Sequence, residues 1–217
     1  MMNLIFSILG MTGGILCAVG DILFDLKGKG NKKLGTSGNI DSNWSKMPYW
    51  RFSASIWVAF VGDALLGFGF LSLVNLLLPE HAGLAGVVAV CGYMSVIAGF
   101  FVHSVLCIQP IIYKRIMEEG QFELADAVLE KYYKAVLPPF LIGYGFILAA
   151  AVCVIIAILT GALEVPKWCV LLNPFVFLLI GVGLRKAKPN VFYDLPGIVL
   201  PSLGMGMFGL IGMIALL

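Results

Sequence analysis

The chain has 217 residues, of which 60% are apolar and 12% charged, with a formal net charge of +2. Average soluble domains hold roughly 45–50% apolar and about 25% charged residues, and a mean hydropathy of +1.00 leaves too little polar surface to face water. A soluble domain, a disordered chain and a nucleic-acid binder are excluded; the composition predicts an all-α membrane protein, one transmembrane domain over residues 1–217.

A crossing takes about 20 apolar residues. The first such segment runs over approximately residues 3–26; no Lys or Arg precedes it, so it is expected to be a span rather than a cleaved signal. Its small and acidic residues, Gly10, Gly14, Cys17, Asp21 and Asp25, recur at three- and four-residue steps. Residues 27–52 are basic and glycine-rich, then aromatic at Trp44, Tyr49, Trp50 and Phe52. Those aromatics read as an interfacial belt, and Lys32, Lys33, Arg51 and Trp50 as candidates for lipid-headgroup binding. The second span, 53–78, carries Ala59, Asp63 and Gly67 at four-residue steps and is expected to close at Pro79; the third, 83–112, carries Gly92, Ser95, Gly99, His103 and Cys107.

Residues 117–136 place Phe122, Ala125, Leu129, Tyr132 and Val136 on one stripe, the pattern of a short amphipathic helix on the inner leaflet. Spans at 138–160, 166–184 and 196–217 complete six. Asn173-Pro174 interrupts the fifth, and the glycines at 204, 206, 209 and 212 favour close packing of the sixth. The odd-numbered connections hold 13 of the 14 basic residues. By the positive-inside rule they face the cytoplasm of an inner (plasma) membrane, with both termini outside. The five cysteines follow no metal-ligand spacing and read as small hydrophobes; no metal or cofactor is expected.

Ionisable groups inside spans are costly and read first as functional. Asp21, Asp63 and His103 lie at similar depths, each on the small-residue stripe of its helix, and such stripes face other helices. A shared Asp–Asp–His cluster follows, with Asn75, Tyr93 and Tyr144 as outer members. Asp25, at the span's edge, is expected to be solvated or to pair with Lys27 or Arg51.

Gly20-Asp21, Trp44, Met47-Pro48, Trp50-Arg51, Gly99 and His103 together resemble a bacterial six-span family of unknown function, over roughly the first half of the chain. The resemblance implies an integral inner-membrane protein and singles out Asp21, Trp50, Arg51 and His103; Asp25 and Asp63 fall outside the pattern.

An interior with more carboxylates than bases points to binding or transport of a small cation or cationic amphiphile, with Asp21, Asp63, His103, Tyr93 and Tyr144 around the ligand. The alternatives are a lipid-modifying enzyme, with His103 as base and Asp63 or Asp21 assisting it, and a non-catalytic scaffold. Membrane lipids are the expected partners. Six spans in a chain this size suit a compact monomer and a homo-oligomer alike.

Overall fold

A computed structural model describes residues 1–78 and 80–217; Pro79 lies outside the described residues. The elements are α1 (Met2–Asp25), a two-residue antiparallel hairpin of β1 (Lys33–Leu34) and β2 (Ile40–Asp41), a 3₁₀ turn at Ser42–Lys46, α2 (Tyr49–Leu77), α3 (Ala82–Glu118), α4 (Phe122–Thr160), a 3₁₀ turn at Lys167–Leu171, α5 (Pro174–Ala187) and α6 (Leu200–Ile214). Among the described residues four helices, α1 to α4, are long and apolar enough to cross a membrane.

The fifth and sixth elements differ from the expected spans. Asn173 ends the 3₁₀ stretch by accepting backbone N–H bonds from Phe175 and Val176 at 3.0 and 3.1 Å, with Pro174 at the first helical position. This N-cap starts a new helix, so α5 has only 14 residues. The chain from 188 to 199 is non-helical, and α6 begins at Leu200 with 15 residues. At a rise of 1.5 Å per residue each reaches roughly 22 Å, short of the hydrocarbon thickness of about 30 Å.

Residues 122–136 are not a separate helix either. They continue through Pro138-Pro139 as one 39-residue α4, and Ala125 and Leu129 from their apolar stripe are buried against Ile40, Trp44, Met47, Phe52 and Tyr113. The stripe is explained by this second core beneath the 27–47 segment.

Small residues set the packing. An added Cβ at Gly14 would lie 2.6 Å from the Gly206 backbone nitrogen and 2.9 Å from the Ser202 carbonyl; one at Gly13 would meet the backbone of Gly62 and Leu66. The stripe of α1 is thus wedged between α2 and α6. Two contacts along each pair run in opposite senses (Gly10–Gly69 and Gly13–Gly62, Gly92–Phe70 and Gly99–Asp63, Gly143–Ala98 and Tyr132–Val105, Gly10–Gly209 and Gly14–Gly206, Pro174–Gly204 and Gly181–Leu200), so neighbours are antiparallel along α1–α2–α3–α4 and likewise in α1–α6 and α5–α6. Asn3 and Ser7 meet Ser72, and Gly212 meets Ser7, so both termini share one end of the bundle. The opposite end carries the 27–48 segment, the 119–121 turn and the 188–199 segment. The outer faces stay apolar: Trp57, Leu179 and Ile142 are 70%, 69% and 61% exposed. Contiguous apolar surface of this kind is disfavoured in water and natural in lipid.

Candidate functional site

Two helices bring their polar residues together where α1 and α2 cross. Ser55, one four-residue step before Ala59 on the stripe of α2, donates its hydroxyl proton to the Gly20 carbonyl at 2.7 Å. Its oxygen lies 2.8 Å from His103 Nε2, and because the serine proton is already committed, Nε2 must donate. His103 Nδ1 lies 3.4 Å from Asp21 Oδ1, and Ser202 of α6 donates to Asp21 Oδ2 at 2.5 Å. Four helices therefore meet in a single chain: Gly20 carbonyl, Ser55, His103, Asp21 and Ser202.

Asp63 stands apart from that chain. It is 8% exposed, lies beside Gly99 of α3, and accepts one weak bond, from the Cys17 thiol at 3.7 Å. A cavity of about 180 Å³ connects Asp63 with Asp21 and His103. Its remaining walls are mainly apolar and aromatic, including Leu66, Phe140, Tyr144, Ile147, Phe175 and Met205, and among the described residues no Lys or Arg lines it. Asp21, His103, Tyr144 and Ser202 also line a wider vestibule of about 550 Å³, which opens toward the 27–48 end and is bordered by Asp25, Lys27, Lys33 and Asp41.

A family model described as a family of unknown function (DUF6796) matches residues 1–217. The chain belongs to this family. No curated protein and no solved structure matches it. Membership in DUF6796 extends over the whole chain, where the resemblance read from motifs covered half, and it carries no activity.

In this DUF6796 chain the vestibule's rim is an ion-pair cluster. Lys27 sits between Asp25, with which it forms a close pair, and Asp41 at 3.0 Å; Lys33 reaches Asp41 at 3.0 Å. Asn31 donates to Asp41 at 2.6 Å. Burial pushes the Asp41 carboxyl up, but the Lys27 ammonium and the Asn31 and Lys33 contacts outweigh it and hold the group below the usual carboxylate range. Burial pushes Lys27 down, and the two carboxylates more than reverse that, leaving the ammonium above its ordinary value. Asp25 thus pairs with Lys27, one of the alternatives expected for it.

Of the expected site residues, Asp21, Asp63, His103 and Tyr144 line the cavity; Tyr93 does not. It is 67% exposed on the outer face of α3, one residue, or about 100° of helical rotation, off the stripe through Gly92. Asn75 donates to Asn3 at the terminal end of the bundle, away from the cavity. Arg51 is committed to the end of α1, donating to the Ile22, Leu23 and Leu26 carbonyls at 2.9–3.0 Å. Lys33 is held by Asp41, whereas Trp50 and Lys32 are exposed. The aromatic belt is not uniform: Trp44 and Phe52 are core residues, and the Tyr49 hydroxyl donates to Glu118.

Ser55 was missed, although it extends the Ala59–Asp63–Gly67 series by one step. Ser202 was legible only as a packing residue. Among the described residues no group of three or more His, Cys, Asp or Glu is arranged to hold a metal ion.

Proposed function

We propose that this protein is a six-span integral membrane protein that binds, and moves between the two faces of the membrane, a small cation or cationic amphiphile. The 27–48 end faces the cytoplasm of the inner membrane and both termini lie outside, in keeping with the distribution of Lys and Arg. In this reading α5 with its preceding 3₁₀ turn, and α6 with the 196–199 segment, complete the fifth and sixth crossings.

The observation that carries the reading is Asp63: a buried carboxylate on a cavity without Lys or Arg among its described residues, whose nearest imidazole is already engaged at both nitrogens. A carboxylate at that depth needs a counter-charge or a proton. A ligand ammonium supplies the first, and Phe140, Tyr144 and Phe175 offer aromatic faces to the same cation. Asp21 and His103 supply the coupled element, a pair that exchanges one proton beside the ligand.

Asp63→Asn keeps the side-chain shape and removes the charge. A ligand at 100 times its Kd stabilises by about 2.7 kcal/mol, roughly 5–10 °C for a chain of this length. In a panel of alkylamines and quaternary ammonium ions, at least one should produce such a shift in the purified wild type and none in Asp63→Asn. Equal shifts in both proteins, or none in either, would overturn the proposal.

A further inference from the structure

The vestibule contains a second, chemically different element. Gln109 of α3 and Trp44 of the 3₁₀ turn both line it, are 5% and 2% exposed, and have a side-chain nitrogen without a hydrogen-bond partner among the described residues. Asn39, beside the hairpin, is a third vestibule residue with an unpartnered amide nitrogen. Buried polar groups are almost always paired, so three unsatisfied nitrogens around one space are an anomaly, and they occur in the segments that frame a space large enough for a ligand.

The indole nitrogen decides what chemistry would satisfy them. Trp44 Nε1 donates and cannot accept, and the two amide nitrogens are donors as well. The missing partner is an acceptor. The inner cavity, of about 180 Å³, is on the scale of the roughly 150 Å³ cavity that admits one benzene. It holds a cationic head and little else, so the rest of any larger ligand must extend through the Asp21–Tyr144 opening that the two spaces share.

We infer that the vestibule receives the oxygen-rich end of a two-ended ligand, an aminoalkyl compound whose ammonium faces Asp63 and whose phosphate- or carbonyl-type oxygens accept from Trp44, Gln109 and Asn39. The inference rests on the cation reading above. Its chemistry is shared by the headgroup of an aminophospholipid and by a free aminoalkyl phosphate.

The test compares binding of ethylamine and of phosphoethanolamine to the protein in detergent, and of phosphatidylethanolamine against phosphatidylcholine in nanodiscs. Wild type should prefer phosphoethanolamine over ethylamine, or phosphatidylethanolamine over phosphatidylcholine, and Gln109→Leu and Trp44→Phe should each reduce that preference about tenfold. A preference confined to the nanodisc arm identifies the lipid as the source; one present in detergent identifies the free compound. Both substitutions remove an unpaired group without removing a bond, so the folded protein is retained for measurement. If ethylamine binds in an Asp63-dependent way but neither arm shows a preference, or the variants keep the wild-type preference, the two-ended ligand is wrong and the cation site stands. If ethylamine and its relatives do not bind at all, the cation reading itself falls, and this inference with it.

Discussion

Arg51 offers the sharpest separation between a structural role and a lipid role. Its guanidinium bonds three carbonyls, those of Ile22, Leu23 and Leu26, at 2.9–3.0 Å. The last carbonyls of a helix have no partner within it, and a cation there also opposes the helix dipole. Hydrogen bonds to a charged group contribute about 1.5–3 kcal/mol each. Three would exceed what is lost, because carbonyls freed at the end of the bundle are rehydrated; Arg51→Ala should therefore cost about 2–4 kcal/mol. For a chain of this size that lowers Tm by roughly 4–16 °C. Arg51→Lys should fall between, since one ammonium lacks the planar fork that spans three acceptors. The melts are followed by intrinsic fluorescence in nanodiscs of zwitterionic and of anionic lipid. The same loss is expected in both. A loss confined to anionic lipid would restore the headgroup role read from the sequence, and a melt unchanged by Arg51→Ala would refute the capping role.

Gly14→Ala should disrupt the α1–α6 contact, because the new methyl group meets backbone atoms of Gly206 and Ser202 that cannot rotate away; a loss of about 1–3 kcal/mol in chemical unfolding is expected. Gly145→Ala, which meets nothing within 4 Å, should instead match or slightly exceed wild type. The Asp41–Lys27 cluster sets a pH window for the 27–47 segment. Asp41 lies below its unfolded value of about 3.9, so its contribution is present above about pH 4 and is lost as pH falls through the lowered value. Lys27 lies above its unfolded value of about 10.4; its contribution is present below that pH and is lost as pH rises through the raised value. Asp41→Asn should make this segment about tenfold more sensitive to protease at neutral pH and remove the acid limb of its protection profile. Ser55→Ala should cost about 1–3 kcal/mol, since it leaves His103 Nε2 without its buried partner, while the Gly20 carbonyl keeps its bond within α1. Because Ser55 is 0% exposed, a fluorophosphonate probe should not label the wild type; labelling at Ser55 would revive the enzyme reading.

What the sequence makes legible here is whatever has a period. The stripes of α1, α2 and α3 follow from four-residue steps, and they place Asp21, Asp63 and His103 on one cavity because small residues can only be buried against other helices. The same rule, applied strictly, leaves Tyr93 out and brings Ser55 in. Contacts made through backbone carbonyls carry no such signal: nothing in the run from Trp50 to Phe52 distinguishes an arginine that caps α1 from one that meets lipid. The 27–47 segment was opaque for a different reason. Its fold rests on Lys27, Lys33, Asn31 and Asp41 meeting across a turn, and pairing at irregular separations looks from outside like a basic linker. Once folded it buries Trp44, which composition alone assigns to the membrane interface. The lengths of α5 and α6 were likewise hidden, because hydropathy does not register an Asn173 N-cap or a non-helical stretch before Leu200.

Ser55, His103 and Asp21 have the order and spacing of a nucleophile, a base and an orienting acid, and yet the arrangement serves hydrolysis poorly. The serine proton is spent on the Gly20 carbonyl, and its oxygen has no exposed surface. A packing lock accounts for that chain well, but not for Asp63. A dry void of about 180 Å³ would cost on the order of 4 kcal/mol, and it borders a carboxylate whose single weak partner is a thiol. Water in the void would lower both costs, yet a hydrated carboxylate facing aromatic walls is already a site open to cations. The glycine contacts of α1 bring backbones together on one side so tightly that a methyl group does not fit, while the side toward α3, α4 and α5 stays open beside the acid. The gap beside the acid is the space that the proposed cation site requires.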